Sequence, residues 1–442
     1  MREKWNLRKE DRQNWLVFAG SILISFILSI VVILLDTRTI PLVDNLPDWA
    51  LTNVDIAVEV LGALVGTLLA VATFTFSAML TIVSLYSSNF SPRVVENYLL
   101  NKVALRTLGI FLGGFVYSVS SLVFMRQLPD DARVLAATVA WIYAIAAIVY
   151  FIKFVFQTAN FVQLEKLVSK VYLEAEQVFD KHIDYFDEWA KLDYLPEFDS
   201  VYQYTIKADT NAYIDYIRFK KLKDICEEYR AVCVMQVRIG TFVSRYEPIA
   251  IVYTNQKAED ETQLSQQINQ IIAYKTEPSA VFDPYYSRSK MVDIALRAIS
   301  PAVNDPNTAI HVLHYKSLLE AKLAGLAGRY AVLGESGREQ AENSGNMTQQ
   351  YEGCILYEYN DFLTDLHKGY WQLVQYMKED ISCMTAIFEG LLVVAYATHE
   401  ENLSDVKEYS QYVYEKTHEY FPLSFDQKRI EEKHQAVLNV RK

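Results

Sequence analysis

The sequence predicts a mainly α fold, in which a four-helix transmembrane domain precedes a cytoplasmic α+β region with a small β-barrel or sandwich and a C-terminal helical bundle. Three observations carry this reading. Four apolar stretches lie within the first 156 residues, each long enough to cross a bilayer core of about 30 Å. Charge then divides the chain, with residues 1–156 at net +1 and residues 157–442 at net −13. Between Tyr213 and Val252 the apolar pattern changes from helical to alternating, as strands require.

The first stretch, Leu16 to Leu35, is 20 residues without a charge. It exceeds a signal-peptide core, and Asp36-Thr37-Arg38 lacks a small-residue cleavage pattern, so the sequence predicts a retained span. The other spans run from Asp55 to Tyr86, Thr107 to Phe124 and Leu135 to Phe156. Arg2, Lys4, Arg8, Lys9 and Arg12 precede span one; Arg93, Lys102 and Arg106 separate spans two and three; Lys166 and Lys170 follow span four. Positive charge marks cytoplasmic segments, which predicts a multi-pass inner (plasma) membrane protein with both termini cytoplasmic. The loop between spans one and two, with Arg38 against Asp36, Asp44, Asp48 and Asp55, then faces outside.

Span two is not a plain anchor. On a helical wheel Asp55, Glu59, Gly62, Gly66, Ala70, Thr73, Ser77, Thr81, Ser84 and Ser88 fall within about 100° of one another. Leu61, Leu64, Leu68, Phe76, Met79 and Ile82 occupy the other side. Small residues at four-residue spacing allow close helix approach, while a file of hydroxyls lines a wet path. The acidic pair Asp55 and Glu59 favours the path, because carboxylates near lipid usually serve function, and it favours cations. Gly109, Gly113 and Gly114 in span three carry no such acid and predict close packing. After span two, Ser91 and Pro92 predict a short capped helix to Leu100.

Beyond the membrane third, residues 157–200 read as a helical extension of span four, and 201–256 as a small β-rich domain. Residues 257–328 read as helices joined by a Ser-Pro-Ala-Val-Asn-Asp-Pro-Asn-Thr-Ala corner, 329–353 as a mobile linker, and 354–442 as the helical bundle. At the corner Asp305-Pro306 is a helix start, with the carboxylate free to accept backbone N–H groups and proline at the first helical position. Asn304, Asp305, Asn307 and Thr308 also crowd oxygen atoms around one turn, a pattern that suits a hard cation. Asp293 and Arg297 stand four residues apart on the preceding helix, in the favourable order for an ion pair.

The run from Asp293 through Ile294-Ala295-Leu296-Arg297-Ala298 to Ser300-Pro301, Asn304-Asp305-Pro306 and Thr308-Ala309 resembles the signature of a bacterial family of predicted membrane proteins of unknown function. Phe90-Ser91-Pro92-Arg93 and the Phe111 to Tyr117 segment are similar to that family as well. The resemblance implies the same architecture and supplies no activity.

The sequence carries no metalloprotease His-Glu-x-x-His, no nucleophile elbow, no phosphate loop and no dinucleotide fingerprint, so no enzyme and no cofactor are expected. His311 and His314 lack a patterned third ligand. Cys226, Cys233, Cys354 and Cys383 show no paired spacing and read as reduced thiols. The acidic second part lacks the basic stripe that nucleic acid requires. The expected partners are the lipid bilayer, further copies of the chain and a monovalent or divalent cation. The sequence thus reads as a homo-oligomeric cation channel with a cytoplasmic regulatory domain; the alternative is a membrane-anchored sensor or assembly protein that binds a ligand or protein.

Overall fold

A computed structural model describes residues 9–40, 47–89, 102–125, 128–129, 132–161, 164–258, 260–279, 281–334 and 347–442. The chain forms two compact units, residues 1–166 and 167–442. The first contains helices α1 (Lys9–Asp36), α2 (Val54–Asn89), α3 (Lys102–Met125) and α4 (Ala136–Phe161). Among the described residues four stretches are long and apolar enough to cross a membrane: Trp15–Asp36, Val54–Ser84, Val103–Met125 and Ala136–Thr158. The turn expected at Ser91-Pro92-Arg93, with the short helix to Leu100, lies outside the described residues.

Helix α3 packs against each of the other three, and its glycines explain how it fits. A Cβ on Gly113 would collide with Ser25 Oγ of α1, and one on Gly114 would stand 2.6 Å from the Tyr143 ring of α4. The predicted packing role of span three therefore holds at these glycines. Tyr143 reinforces the contact, since its hydroxyl donates to the Ile110 carbonyl at 2.8 Å and lies 2.8 Å from Ser25 Oγ. At one end of the unit, Asp36 accepts the backbone N–H of Leu135 at 2.7 Å and of Ala136 at 3.2 Å, capping α4 from the end of α1. A two-residue ladder between β1 (Thr52–Asn53) and β2 (Arg133–Val134) ties the starts of α2 and α4 together.

The second unit starts at Leu167, within α5 (Leu164–Asp187), in the stretch expected to extend span four. Nine strands follow: β3 (Ala190–Leu192), β4 (Tyr202–Lys207), β5 (Ala212–Ile217), β6 (Ala231–Met235), β7 (Phe242–Val243), β8 (Pro248–Thr254), β9 (Ile272–Lys275), β10 (Tyr330–Leu333) and β11 (Ile355–Glu358). They make a six-stranded sheet in the order β3-β10-β11-β6-β8-β4 and a three-stranded sheet in the order β7-β5-β9. Both sheets are open, which corrects the expected small barrel. The physical reason is that β5 leaves its sequence neighbour β4 and pairs with β7 and β9, while β10 and β11 arrive from beyond residue 329 to extend the larger sheet. Strand β6 runs parallel to β11 and antiparallel to β8; all five of its residues are buried, as a central strand covered on both faces requires.

Helices α6 (Phe219–Glu228) and α7 (Glu261–Ile271) cover a core that includes Phe219, Leu222, Leu264 and Ile268 together with strand residues Cys233, Ile249 and Tyr357. Helices α8 (Pro284–Ala298), α9 (Pro306–Ala324), α10 (Phe362–Met377), α11 (Ile381–Ala397), α12 (Leu403–Thr417) and α13 (Ser424–Leu438) form the helical part. Helix α11 is largely apolar yet only 17 residues long. It packs against α9, α10, α12 and α13, so its apolar surface is consumed in the core of the unit. All four cysteines are free and buried.

Candidate functional site

The striped helix is α2. Its packed face is built from Ala57, Leu61, Leu68, Ala72, Met79 and Ile82, all buried. At about 100° per residue that face points directly away from the polar stripe. Asp55, Glu59, Gly62, Gly66, Ala70, Thr73, Ser77, Thr81 and Ser84 are all exposed, and Ser88 lies in the closing turns of the same helix. Among the described residues, nothing beyond the helix's own adjoining backbone comes within 4 Å of a Cβ placed on Gly62 or Gly66. The stripe glycines of α2 therefore meet no other described helix of this chain, unlike those of α3.

The two threonine hydroxyls of the stripe are satisfied locally. Thr73 donates to the Leu69 carbonyl at 2.9 Å, and Thr81 to the Ser77 carbonyl at 3.0 Å. Such back-bonding lets a hydroxyl face hydrocarbon, another helix or water without leaving a buried donor unpaired. The carboxylates are different, because neither Asp55 nor Glu59 is compatible with hydrocarbon while ionised. Asp55 sits in the first turn of α2, where the positive end of the helix dipole favours its negative charge.

In the second unit, the corner between α8 and α9 has the predicted capped geometry. Asp305 Oδ1 accepts the Thr308 N–H at 3.1 Å, Oδ2 accepts the Thr308 hydroxyl at 2.5 Å, and Pro306 opens the helix. Asn304 takes a left-handed conformation with φ of 47°, which Asn tolerates better than most residues. This turn lets the Asp305 N–H donate back to the Ala298 carbonyl at 2.8 Å. Asn304 and Asn307 are exposed, and Asp293 and Arg297 are half-buried on α8. Both Asp305 oxygens are engaged by Thr308, so the oxygens gathered at this corner close a helix end. Among the described residues no group of three or more His, Cys, Asp or Glu side chains is placed to hold a metal.

The same start signal occurs upstream at Asp283-Pro284. Asp283 Oδ1 accepts the Tyr285 N–H at 2.9 Å, and α8 begins at Pro284. Asp283 is 5% exposed. Burial pushes its carboxyl up to about 7, against the lowering influence of the Tyr286 and Tyr285 N–H groups and Arg288. Gly240, with φ of 88°, turns directly against it, and a Cβ there would collide with the carboxylate.

Sequence reasoning did not find a chain of buried charges that runs beside Asp283. Arg238 bridges Asp365 at 2.7 Å and Glu358 at 3.0 Å, and the Tyr285 hydroxyl donates to Asp365 Oδ2 at 2.9 Å. Arg288 bridges Glu320 at 3.0 Å, and Lys316 reaches the same carboxylate at 2.6 Å while its Nζ stands 3.3 Å from the centre of the Tyr370 ring. Lys316 is fully buried, and burial lowers its ammonium to about 8 despite Glu320. With Arg329, which bridges Glu358 at 2.6 Å and Asp361 at 2.9 Å, four cations face four anions, and the cluster joins α8, α9, α10, the end of β11 and the loop that carries Arg238. Only the Lys316 and Glu320 pair, four residues apart, left a local signal in the sequence.

His311 and His314 stand on α9 beside Glu389, with His314 Nε2 3.9 Å from its carboxylate. They line a shallow surface depression with Tyr315 and Val393.

Comparison with known proteins agrees with a membrane protein. Residues 11–392 match the family described as predicted membrane protein (DUF2254). The uncharacterized protein Rv1290c of Mycobacterium tuberculosis and the uncharacterized protein Mb1321c of Mycobacterium bovis are each 24% identical to this chain over 340 residues, covering 75% of it. The chain spans 62% of the length of these relatives. No solved structure matches. With its four candidate spans at the N-terminal end and a match over most of its length, this chain belongs to the DUF2254 family of predicted membrane proteins.

Proposed function

We propose that the protein is a homo-oligomeric membrane channel that passes cations, with residues 167–442 as a cytoplasmic regulatory domain and no enzymatic role. The supporting observation is the orientation of α2. A lone four-helix unit in lipid is expected to turn polar residues inward and apolar residues outward. Here the apolar face of α2 is packed and the stripe from Asp55 to Ser84 points outward. Several copies arranged about an axis, each contributing one α2, bring the stripes together around a hydroxyl-lined path with Asp55 and Glu59 at one mouth. The acidic mouth concentrates cations.

The test is flux of small monovalent cations into liposomes holding the purified full chain. Ser77→Leu places a bulky apolar group in the path and is expected to stop flux, while Glu59→Gln is expected to weaken conductance or cation selectivity without loss of assembly. Equal flux from wild type and Ser77→Leu, or none above empty vesicles, overturns the reading. A second reading, a membrane-anchored sensor or assembly protein, draws support from the back-bonded hydroxyls of Thr73 and Thr81, which permit the stripe to pack dry against another helix. A dry, closely packed oligomer with no flux favours that reading.

A further inference from the structure

The second unit holds a cavity of about 420 Å³, lined by Tyr185 and Phe186 of α5, Tyr216 of β5, Phe219 of α6, and Ile239 and Phe282. The last two reach it from segments that meet at Asp283. Ile239 precedes Gly240 in the turn between β6 and β7, and Phe282 precedes Asp283 at the start of α8. The turn is tied down, since the Ile239 N–H donates to the Tyr357 hydroxyl at 3.0 Å and the Gly240 N–H to the Ile214 carbonyl at 2.7 Å. The segment before α8 is held less firmly. Val281 is 50% and Phe282 42% exposed, and the Phe282 ring rests against that of Tyr216 with centroids 4.8 Å apart.

The carboxyl between these segments sits in a place that suits its neutral form. Asp283 is 5% exposed, and a Cβ on Gly240 would collide with its Oδ2, so the turn lies directly on the carboxyl. The groups that face it offset little of a negative charge. Arg288, on its own helix, bridges Glu320 at 3.0 Å and donates to the Asp365 carbonyl at 2.9 Å. Arg238, on the turn, is taken up by Asp365 and Glu358. Asp365 of α10 adds like charge, and Tyr357 of β11 is a neutral phenol. A buried carboxylate without a cation of its own is costly, and the cost falls when the group is protonated or when water reaches it. Burial accordingly raises this carboxyl to about 7.

We infer that Asp283 is a pH-sensitive latch on the aromatic cavity: protonated, it lets the segment Val281–Asp283 close against the Gly240 turn, and ionised, it draws in water and lifts Phe282 from Tyr216, which widens the cavity mouth. The segment before α8 is the side that moves, because the turn is fixed by Tyr357 and Ile214. The latch lies wholly in the second unit and stands whether or not α2 lines a path.

The test uses the purified full chain in detergent with 4-fluorophenylalanine incorporated at Phe282, and reads the difference in fluorine shift between H2O and D2O, which grows with exposure of the ring to water. In wild type that difference is expected to rise between pH 5 and pH 8, and in Asp283→Asn, which keeps the shape of the neutral acid, to stay at its low-pH value. A second sample carries the fluorine at Phe219, fully buried on another wall of the cavity, and is expected to show no rise. A flat response at Phe282 in wild type overturns the inference, as does a rise that survives in Asp283→Asn. A rise at both Phe282 and Phe219 marks a general loosening and overturns it too. Should Asp283→Asn fail to fold, Asp283→Ser, which caps a helix without a titrating group, takes its place with the same expected outcome.

Discussion

Asp283 combines three demands at one residue: it caps α8, it is buried, and Gly240 leaves it room. Its carboxyl is raised to about 7 from an ordinary 3.8, so the folded protein holds this proton more tightly than the unfolded chain. The resulting stability is fully present below about pH 4 and is lost as pH rises through about 7. His182 works in the opposite sense: its pKa falls from 6.5 to about 4, so its contribution is present above 6.5 and lost as pH falls through 4. The two overlap, and the separable quantity is the melting temperature of wild type minus that of Asp283→Asn, which cannot titrate. That difference is expected to fall between pH 5 and pH 8, and a flat difference contradicts the buried, protonated cap. Gly240→Ala is expected to cost more than about 1 kcal/mol, since it combines a disfavoured φ with a collision at the cap. Asp305→Ala is expected to cost about 1 kcal/mol for a lost cap, read as a lower melting temperature, with Asn304→Ala as the non-capping comparison.

At the scale of the element, α2 and α3 show the same residue types put to different use. Glycine in α3 meets Ser25 and Tyr143; glycine in α2 meets, among the described residues, nothing beyond its own adjoining backbone. Single cysteines placed along α2 report what covers the stripe, against a background of four buried native thiols. Positions Ser77, Thr81 and Ser84 are expected to react with a water-soluble thiol reagent in intact membranes, and position Leu68 on the packed face is not. Protection of all three stripe positions points to dry packing instead. The spans and the Asp305 cap were legible in the sequence because each is a local signal, a run of 20 apolar residues or an Asp-Pro start. The sheet was not, because β10 and β11 are four residues each and acquire meaning only on pairing with β3 and β6, which stand over a hundred residues away. The Arg238, Arg288 and Lys316 cluster escaped for the same reason, its members being scattered over five elements. The cavity beside Asp283 left no motif, since its wall is ordinary core aromatics until the fold brings Ile239 and Phe282 into its lining.

For the whole molecule, the claim with the widest reach is topology, because the mouth of the proposed path and the compartment of the second unit both depend on it. Four spans return the chain to the side on which it entered. Five basic residues precede span one, whereas the segment between spans one and two pairs Arg38 with Asp36, Asp44, Asp48 and Asp55. Translocating the basic segment across an energised membrane is the less favourable choice, so the basic ends are expected to face the cytoplasm. The second unit follows span four, and its net −13 adds no competing signal, since acidic residues count little in orientation. A reporter active only outside the cytoplasm is therefore expected to be silent when fused after Lys442 and active when inserted after Arg38. A reporter active only in the cytoplasm is expected to give the reverse pattern. Activity of the external reporter at Lys442 would invert the molecule, place Asp55 and Glu59 at an inner mouth, and put the second unit outside the cell.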